Sequence, residues 1–301
     1  VQSGITPQAV AYPVPLARQV PLSRSIAVPF NFGYGFIGGP HSMNVPCAFK
    51  GGVRKNCLLD TGAALTLMVQ DKESMSFPVL DTIKLHSMSG QSRTIDIVAP
   101  ENILIGEKII PIARAGRAVG LSIHGQAGVI GSDALANQVV SFDFKNKRVV
   151  FSPEISIRDN FAQGEEQTLA FTNDTVPVIR ISIGSAGLAA MWDTGTTTGL
   201  LLRQDWIDSH LEFFRYQWDS SAGTDANGED ITTKSYELLV PLCAGAVCFK
   251  KGFNVNGLTF PMDVKGFQGI DAIIGLDLIR QHNWLFDFSE KSWIVQDFGS
   301  W

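Results

Sequence analysis

Cys57-Leu58-Leu59-Asp60-Thr61-Gly62-Ala63 and Ala190-Met191-Trp192-Asp193-Thr194-Gly195-Thr196 are one phrase written twice. Each is a short apolar run closed by a carboxylate, a hydroxyl and a glycine. Each then continues into small and apolar residues, Ala64-Leu65-Thr66-Leu67-Met68 in the first copy and Thr197-Thr198-Gly199-Leu200-Leu201 in the second. Apolar runs of this kind read as buried strands, and the end of a buried strand is a costly place for an ionisable group. Two such places in one chain point to two carboxylates brought face to face, an arrangement suited to acid–base hydrolysis.

The repetition extends downstream. Gly128-Val129-Ile130-Gly131-Ser132-Asp133-Ala134-Leu135 is echoed by Ala272-Ile273-Ile274-Gly275-Leu276-Asp277-Leu278-Ile279. A third echo follows each: Val140-Ser141-Phe142-Asp143-Phe144, then Trp284-Leu285-Phe286-Asp287-Phe288. A lone Asp-Thr-Gly is a weak signal. Three features in the same order at similar spacing describe an internal duplication.

This ordered set resembles the aspartic peptidases, specifically a single-chain member with two retropepsin-like lobes. The resemblance rests on an apolar strand, Asp-Thr-Gly followed by Ala or Thr, a hairpin, and an apolar-Ile-Gly-x-Asp segment leading into a short helix. Asp60-Thr61-Gly62-Ala63 with Thr66 is closer to the retropepsin form; Asp193-Thr194-Gly195-Thr196-Thr197 is closer to the pepsin form. It covers residues 26 to 301. It implies an all-β, bilobal fold of two similar closed, barrel-like lobes related by a pseudo-twofold axis, with a cleft between them. It further implies an endopeptidase whose catalytic pair is Asp60 and Asp193. Thr61 and Thr194 are expected to bond across the lobe junction, and Gly62 and Gly195 to allow turns that a Cβ would hinder. No cofactor and no metal are implied. The chain departs from pepsins in lacking a flap tyrosine and the large insertions, so pepsin substrate preferences do not carry over.

Composition agrees and sets bounds. A chain of 301 residues with 45% hydrophobic content and mean hydropathy +0.11 is long enough for two domains, each with its own core. The expected division is an extended arm over 1–25, a lobe over 26–155, a polar linker over 156–174 and a second lobe over 175–301. A net charge of −5 gives no reason to expect nucleic acid. No apolar run approaches the roughly 20 residues of a membrane span. The partner implied is a polypeptide substrate, with the protein itself a monomer. The five histidines form no ligand cluster, and no nucleophile elbow, phosphate loop or His-Glu-x-x-His is present.

The four cysteines fall into two local pairs, Cys47/Cys57 and Cys243/Cys248, each bracketing a hairpin bend. Their spacing does not suit zinc. They are read as at least one disulfide, and hence as a sign of a secreted or extracytoplasmic setting; four buried thiols are the alternative. Short strands separated by Gly, Asn and Ser fill most of the chain, and one longer helix is expected over 203–215. Hairpin tips at Ser87-Met88-Ser89-Gly90-Gln91 and around Gly223-Thr224-Asp225 stand between the diagnostic motifs of each half, placed to fold over a cleft and meet an extended peptide.

One asymmetry is visible in the loops themselves. Thr196 follows Gly195 where Ala63 follows Gly62, so a hydroxyl can donate to Asp193 and favour its charged form, leaving Asp60 to carry the proton. Asp133 and Asp277 read as helix caps or local structural partners, and Asp143 and Asp287 as structural. Two other readings compete with the endopeptidase. One is a catalytically silent peptide-binding or inhibitor protein on the same fold; the other is a glycosidase, which needs a wider carboxylate separation of about 5 Å or more.

Overall fold

The strand Val176–Ile183 shows how this chain builds sheets. Ile179, Ile181 and Ile183 alternate onto one face and enter the main core, while Val176 and Val178 enter a second, smaller apolar cluster. A side-chain period of two sends neighbours to opposite faces, and here both faces are covered. The computed structural model describes residues 24–34, 40–50, 52–118, 126–152, 161, 164–224, 230–261 and 264–298. Most of the expected N-terminal arm therefore lies outside the described residues.

Two ten-stranded sheets carry the repeat. In hydrogen-bonded order the first runs Val79–His86, Ser92–Val98, Ala115–Ala118, Leu67–Val69, Gly128–Ile130, Lys55–Leu59, Pro40–Phe49, Glu101–Ile105 and Lys108–Ile112, with Asn31–Tyr34 also pairing to Pro40–Phe49. The second runs Phe214–Thr224, Asp230–Leu238, Asn254–Leu258, Leu200–Arg203, Ala272–Ile274, Ala186–Trp192, Val176–Ile183, Leu242–Ala244 and Val247–Phe249, with Ala170–Thr172 also pairing to Val176–Ile183. The two paths match strand for strand. Each path runs from one edge to another without closing on itself among the described residues, so the halves are sheets rather than closed barrels.

A six-stranded sheet joins the halves. Its order is Ile26–Pro29, Arg148–Ser152, Val139–Asp143, His282–Asp287, Ser292–Asp297 and Gln167–Thr168, so its second three strands mirror its first three. The mirror lies between Val139–Asp143 and His282–Asp287, which pair antiparallel from Val139 opposite Asp287 to Phe142 opposite Trp284. Phe142, Trp192, Trp284 and Phe286 are fully buried above this junction, with Phe142 4.7 Å and Phe286 4.6 Å from Trp192 between ring centroids. Burying one such side chain is worth about 1.5–3 kcal/mol. Trp192 directly precedes Asp193, so this packing fixes the strand that delivers the carboxylate.

Both cysteine pairs are disulfides. Cys243 and Cys248 stand directly opposite each other on paired strands with Cα atoms 4.0 Å apart. Cys47 and Cys57 are opposite Lys55 and Val45 respectively, so their bridge runs diagonally over 5.8 Å.

Two local expectations change. The helix expected over 203–215 is only Gln204–Asp208, followed by a single 3₁₀ turn at Leu211–Phe213. Phe214 instead opens an eleven-residue strand paired to Asp230–Leu238. The aromatic residues of that stretch suit a pleated surface, and cross-strand pairing overrides the weak helical periodicity. The polar linker also contains structure: Gln167–Thr168 pairs with the joining sheet and Ala170–Thr172 with the second large sheet.

Candidate active site

Each Asp-Thr-Gly leaves the end of an apolar strand and is caught at once by the strand that repeats with it. The amide of Asp60 donates to the carbonyl of Ile130 at 3.0 Å, and that of Asp193 to Ile274 at 3.0 Å. The two loops then lock to each other through their threonines, both fully buried. Thr61 N–H donates to Thr194 Oγ1 at 3.1 Å, and Thr194 N–H to Thr61 Oγ1 at 3.0 Å. Each hydroxyl donates onward to the opposite strand, Thr61 to the carbonyl of Trp192 at 2.8 Å and Thr194 to that of Leu59 at 2.7 Å. Every hydroxyl and both amides are thus satisfied in a site where an orphaned polar group would cost about 1–3 kcal/mol.

This lock brings the carboxylates together across the two halves. A Cβ built on Gly62 would lie 2.6 Å from both carboxyl oxygens of Asp193, and one on Gly195 would lie 2.5 Å from Oδ2 of Asp60. Each glycine is therefore required by the carboxylate of the other triplet, not by its own backbone angles. The Asp60 and Asp193 carboxyls lie within hydrogen-bonding reach of each other. Burial, then the neighbouring Asp193 charge, then the hydrogen bond between the two carboxyls push Asp60 well above the usual carboxylate range.

The donors around the pair are unequal. Asp60 Oδ1 accepts from the amides of Gly62 at 3.0 Å and Ala63 at 3.1 Å. Asp193 Oδ1 accepts from Gly195 at 2.7 Å and Thr196 at 3.2 Å, and its Oδ2 also accepts the Thr196 hydroxyl at 2.7 Å. Asp193 thus has one more donor than its counterpart, and hydrogen bonds to the charged form favour it. The two carboxyls thus share a site but not the same set of donors.

The hairpin Val79–His86/Ser92–Val98 turns at Ser87 to Gly90, closed by Gly90 N–H to the Ser87 carbonyl at 3.0 Å. Gly90 has φ +80°, which suits glycine, and the Ser87 and Ser89 hydroxyls are 3.0 Å apart. The tip crosses to the other half: Met88 packs against the apolar cluster of Val178, Met191, Leu201 and Ile273, and a Cβ on Gly90 would lie 3.3 Å from Pro261. In the second half, Gly223 pairs with Ile231 and Thr224 with Asp230 at the end of a long hairpin; Asp225 lies outside the described residues.

The remaining carboxylates serve the frame. Asp143 accepts from Asn146, Arg148 and Asn283, and Asp287 from Ser289 and Glu290. Asp133 and Asp277 are not helix caps: Gly131 and Gly275 occupy those positions, and the aspartates lie one step inside the turn. Contacts that no local pattern announces also tie the halves together. Ser132 Oγ lies 2.9 Å from Thr175 Oγ1, and Thr175 donates to the carbonyl of Ala64 at 3.2 Å. No group of His, Cys, Asp and Glu able to hold a metal occurs among the described residues.

No family model and no curated protein matches the sequence. Solved structures do match. An aspartic proteinase from Irpex lacteus superposes with a TM-score of 0.53 at 16% identity, over 91% of this chain and 98% of that one. The basic 7S globulin from soybean superposes with a TM-score of 0.52 at 12% identity, over 92% and 97% of the two chains. At such identities the likeness speaks for architecture alone, and it spans nearly the whole chain. The paired sheets, the joining sheet and these superpositions agree: the chain has the bilobal all-β fold of the pepsin-like aspartic proteinases.

Proposed function

We propose that this protein is an aspartic endopeptidase that hydrolyses extended polypeptide segments with a water activated between Asp60 and Asp193. The observation that carries this reading is the reciprocal approach of the two carboxyls over each other's glycine, where burial and the Asp193 charge push Asp60 well above the usual carboxylate range.

Two carboxyls this close titrate as one pair sharing a proton, as is known for aspartic-protease dyads. In this reading the Asp193 carboxylate takes a proton from the water as it attacks the scissile carbonyl carbon. Asp60 donates its proton to the carbonyl oxygen, giving a neutral tetrahedral diol. Collapse of the diol breaks the C–N bond, with the proton gained by Asp193 passing to the leaving nitrogen and a diol hydroxyl proton returning to Asp60. The threonine lock holds both carboxyls at one level, so the geometry precedes the substrate. The Ser87–Gln91 tip supplies backbone groups over the cleft for a substrate bound as an added strand. Ser87, Met88, Ser89, Gly90 and, opposite, Gly223 and Thr224 are the substrate-facing residues in this reading.

The soybean likeness shows that one architecture serves proteins of quite different description. A peptide-binding protein without turnover is therefore the competing reading. Both triplets are intact here, which favours the enzyme. The two disulfides fit an extracytoplasmic setting, and no helix among the described residues is long and apolar enough to cross a membrane. A peptide analogue bearing a hydroxyl at the scissile position separates the readings. Inhibition of cleavage on a denatured polypeptide mixture at acidic pH is expected; binding of the analogue with no cleavage to inhibit would favour the silent protein.

A further inference from the structure

The two catalytic loops are pinned from below by equivalent contacts, and at one point the chemistry of the pin differs. Ser132 N–H donates to the Ala63 carbonyl at 2.8 Å, and Leu276 N–H to Thr196 at 2.7 Å, so the repeat is symmetric at this step. One residue earlier it is not. Gly275 N–H donates to a backbone carbonyl, that of Gly199, at 2.8 Å. Gly131 N–H donates instead to a side chain, Thr66 Oγ1, at 3.1 Å. Thr66 occupies the position in the first loop that Gly199 occupies in the second.

The Thr66 hydroxyl is fully buried and donates a hydrogen bond to Asp133 Oδ1 at 2.7 Å. That oxygen also accepts the Ala134 amide at 3.0 Å. The approach is tight: a Cβ on Gly131 would lie 2.8 Å from the Ala63 carbonyl oxygen and 2.9 Å from Asp133 Oδ1. The counterpart Asp277 does nothing comparable, since its carboxylate is half exposed and pairs with Arg280 at 3.2 Å. A half-buried carboxyl bonded to a fully buried hydroxyl 67 residues away is an anchor for the loop that carries Asp60.

We infer that Asp133, acting through Thr66, is a positioning residue that sets the height of the Asp60 loop, and that the Asp193 loop has no such side-chain anchor. The inference rests on the endopeptidase reading. A hydroxyl bonded at both ends fixes the loop more closely than packing alone, and a displacement of about 1 Å at a catalytic group can cost about a hundredfold in rate. Asp133 bonds to Thr66 and to the Ala134 amide; in this inference its effect reaches the reaction only through where Asp60 stands.

The test uses Thr66→Val, Asp133→Ala and Thr66→Ser in the full chain, with cooperative melting above the assay temperature as the check of folding. Thr66→Val and Asp133→Ala are each expected to lower kcat by about tenfold or more with KM within about twofold, because binding surfaces are untouched. Thr66→Ser keeps the hydroxyl and is expected to restore kcat to within about threefold of the parent. If Asp133→Ala does not fold, Thr66→Val against Thr66→Ser gives the same contrast without emptying the site. Cleavage by the parent protein together with unchanged kcat in folded Thr66→Val overturns the anchor alone. So does a Thr66→Ser protein as impaired as Thr66→Val. A parent protein that cleaves nothing overturns the endopeptidase reading and the anchor with it.

Discussion

The Asp60 loop and the Asp193 loop share all but one of the backbone bonds described above and differ in where their hydroxyls go. In the first, the hydroxyl available to the loop (Thr66) is turned down into the frame and holds Gly131 and Asp133. In the second, it is turned up to the carboxylate, as Thr196 donates to Asp193, and a backbone carbonyl holds the frame instead. A duplicated scaffold therefore keeps its geometry through the main chain and acquires unequal chemistry through two side-chain hydroxyls. That inequality is useful to a dyad, which needs one carboxyl protonated and one charged, and a strictly symmetric pair offers no preference between them.

The comparison can be broken most severely at the glycines. Gly195→Ala places a methyl against the Asp60 carboxyl and is expected to lower kcat/KM by about a hundredfold or more. Gly187→Ala, on an open site with no neighbour within 4 Å, is the matched control and leaves kcat/KM unchanged. Equal activity in the two variants would mean that the carboxyl does not sit over the glycine in solution.

Thr196→Ala removes the hydroxyl that distinguishes the two loops and makes ionisation of the dyad harder. A hydrogen bond to a charged group is worth about 1.5–3 kcal/mol, so the acidic limb of the pH–rate profile should move upward by about one pH unit or somewhat more. An unmoved limb would show that the extra donor does not decide which carboxyl is charged.

The smallest effect expected is on stability. Burial raises Asp133 to about 6, against about 3.9 in an unfolded chain. Its influences are all neutral, the Thr66 hydroxyl and nearby amides, with no charged partner. Below pH 4 the group is protonated in both states and has no effect. Between about 4 and 6 the unfolded chain loses the proton while the folded one retains it, so folding stability falls as pH rises, and above 6 the loss is constant. Asp133→Asn lacks this penalty. The difference in Tm between parent and variant should therefore move by a few degrees in favour of the variant from pH 4 to pH 7. A difference that stays flat across that range would show that folding leaves the titration of Asp133 unchanged.

Much of this was legible in the sequence because it is local or repeated. The doubled Asp-Thr-Gly phrase, the two Ile-Gly-x-Asp segments and the cysteine pairs bracketing hairpins are all short patterns, and the sheets place them in matching positions. The Ser87–Gly90 tip was legible for the same reason, since its turn chemistry lies within five residues. The short helix at Gln204–Asp208 was overestimated because Trp206, Leu211 and Phe214 fall at helical spacing, while the pairing that pulls Phe214 into a strand comes from Leu238. The bonds of Thr66 to Asp133 and of Ser132 to Thr175 join residues 67 and 43 positions apart. Nothing in either neighbourhood marks the partner. Comparing the two copies position by position does point to Thr66, a hydroxyl where the other loop has Gly199, and that is the signal a sequence reading can still use.

The most direct measurement is cleavage of an unfolded polypeptide by the parent protein, Asp60→Asn and Asp193→Asn across pH 3 to 8. Both substitutions keep the size of the side chain and remove the shared proton. The account predicts acid-range cleavage by the parent and a loss of about a thousandfold or more in each variant. Peptide hydrolysis that persists in either variant would contradict it.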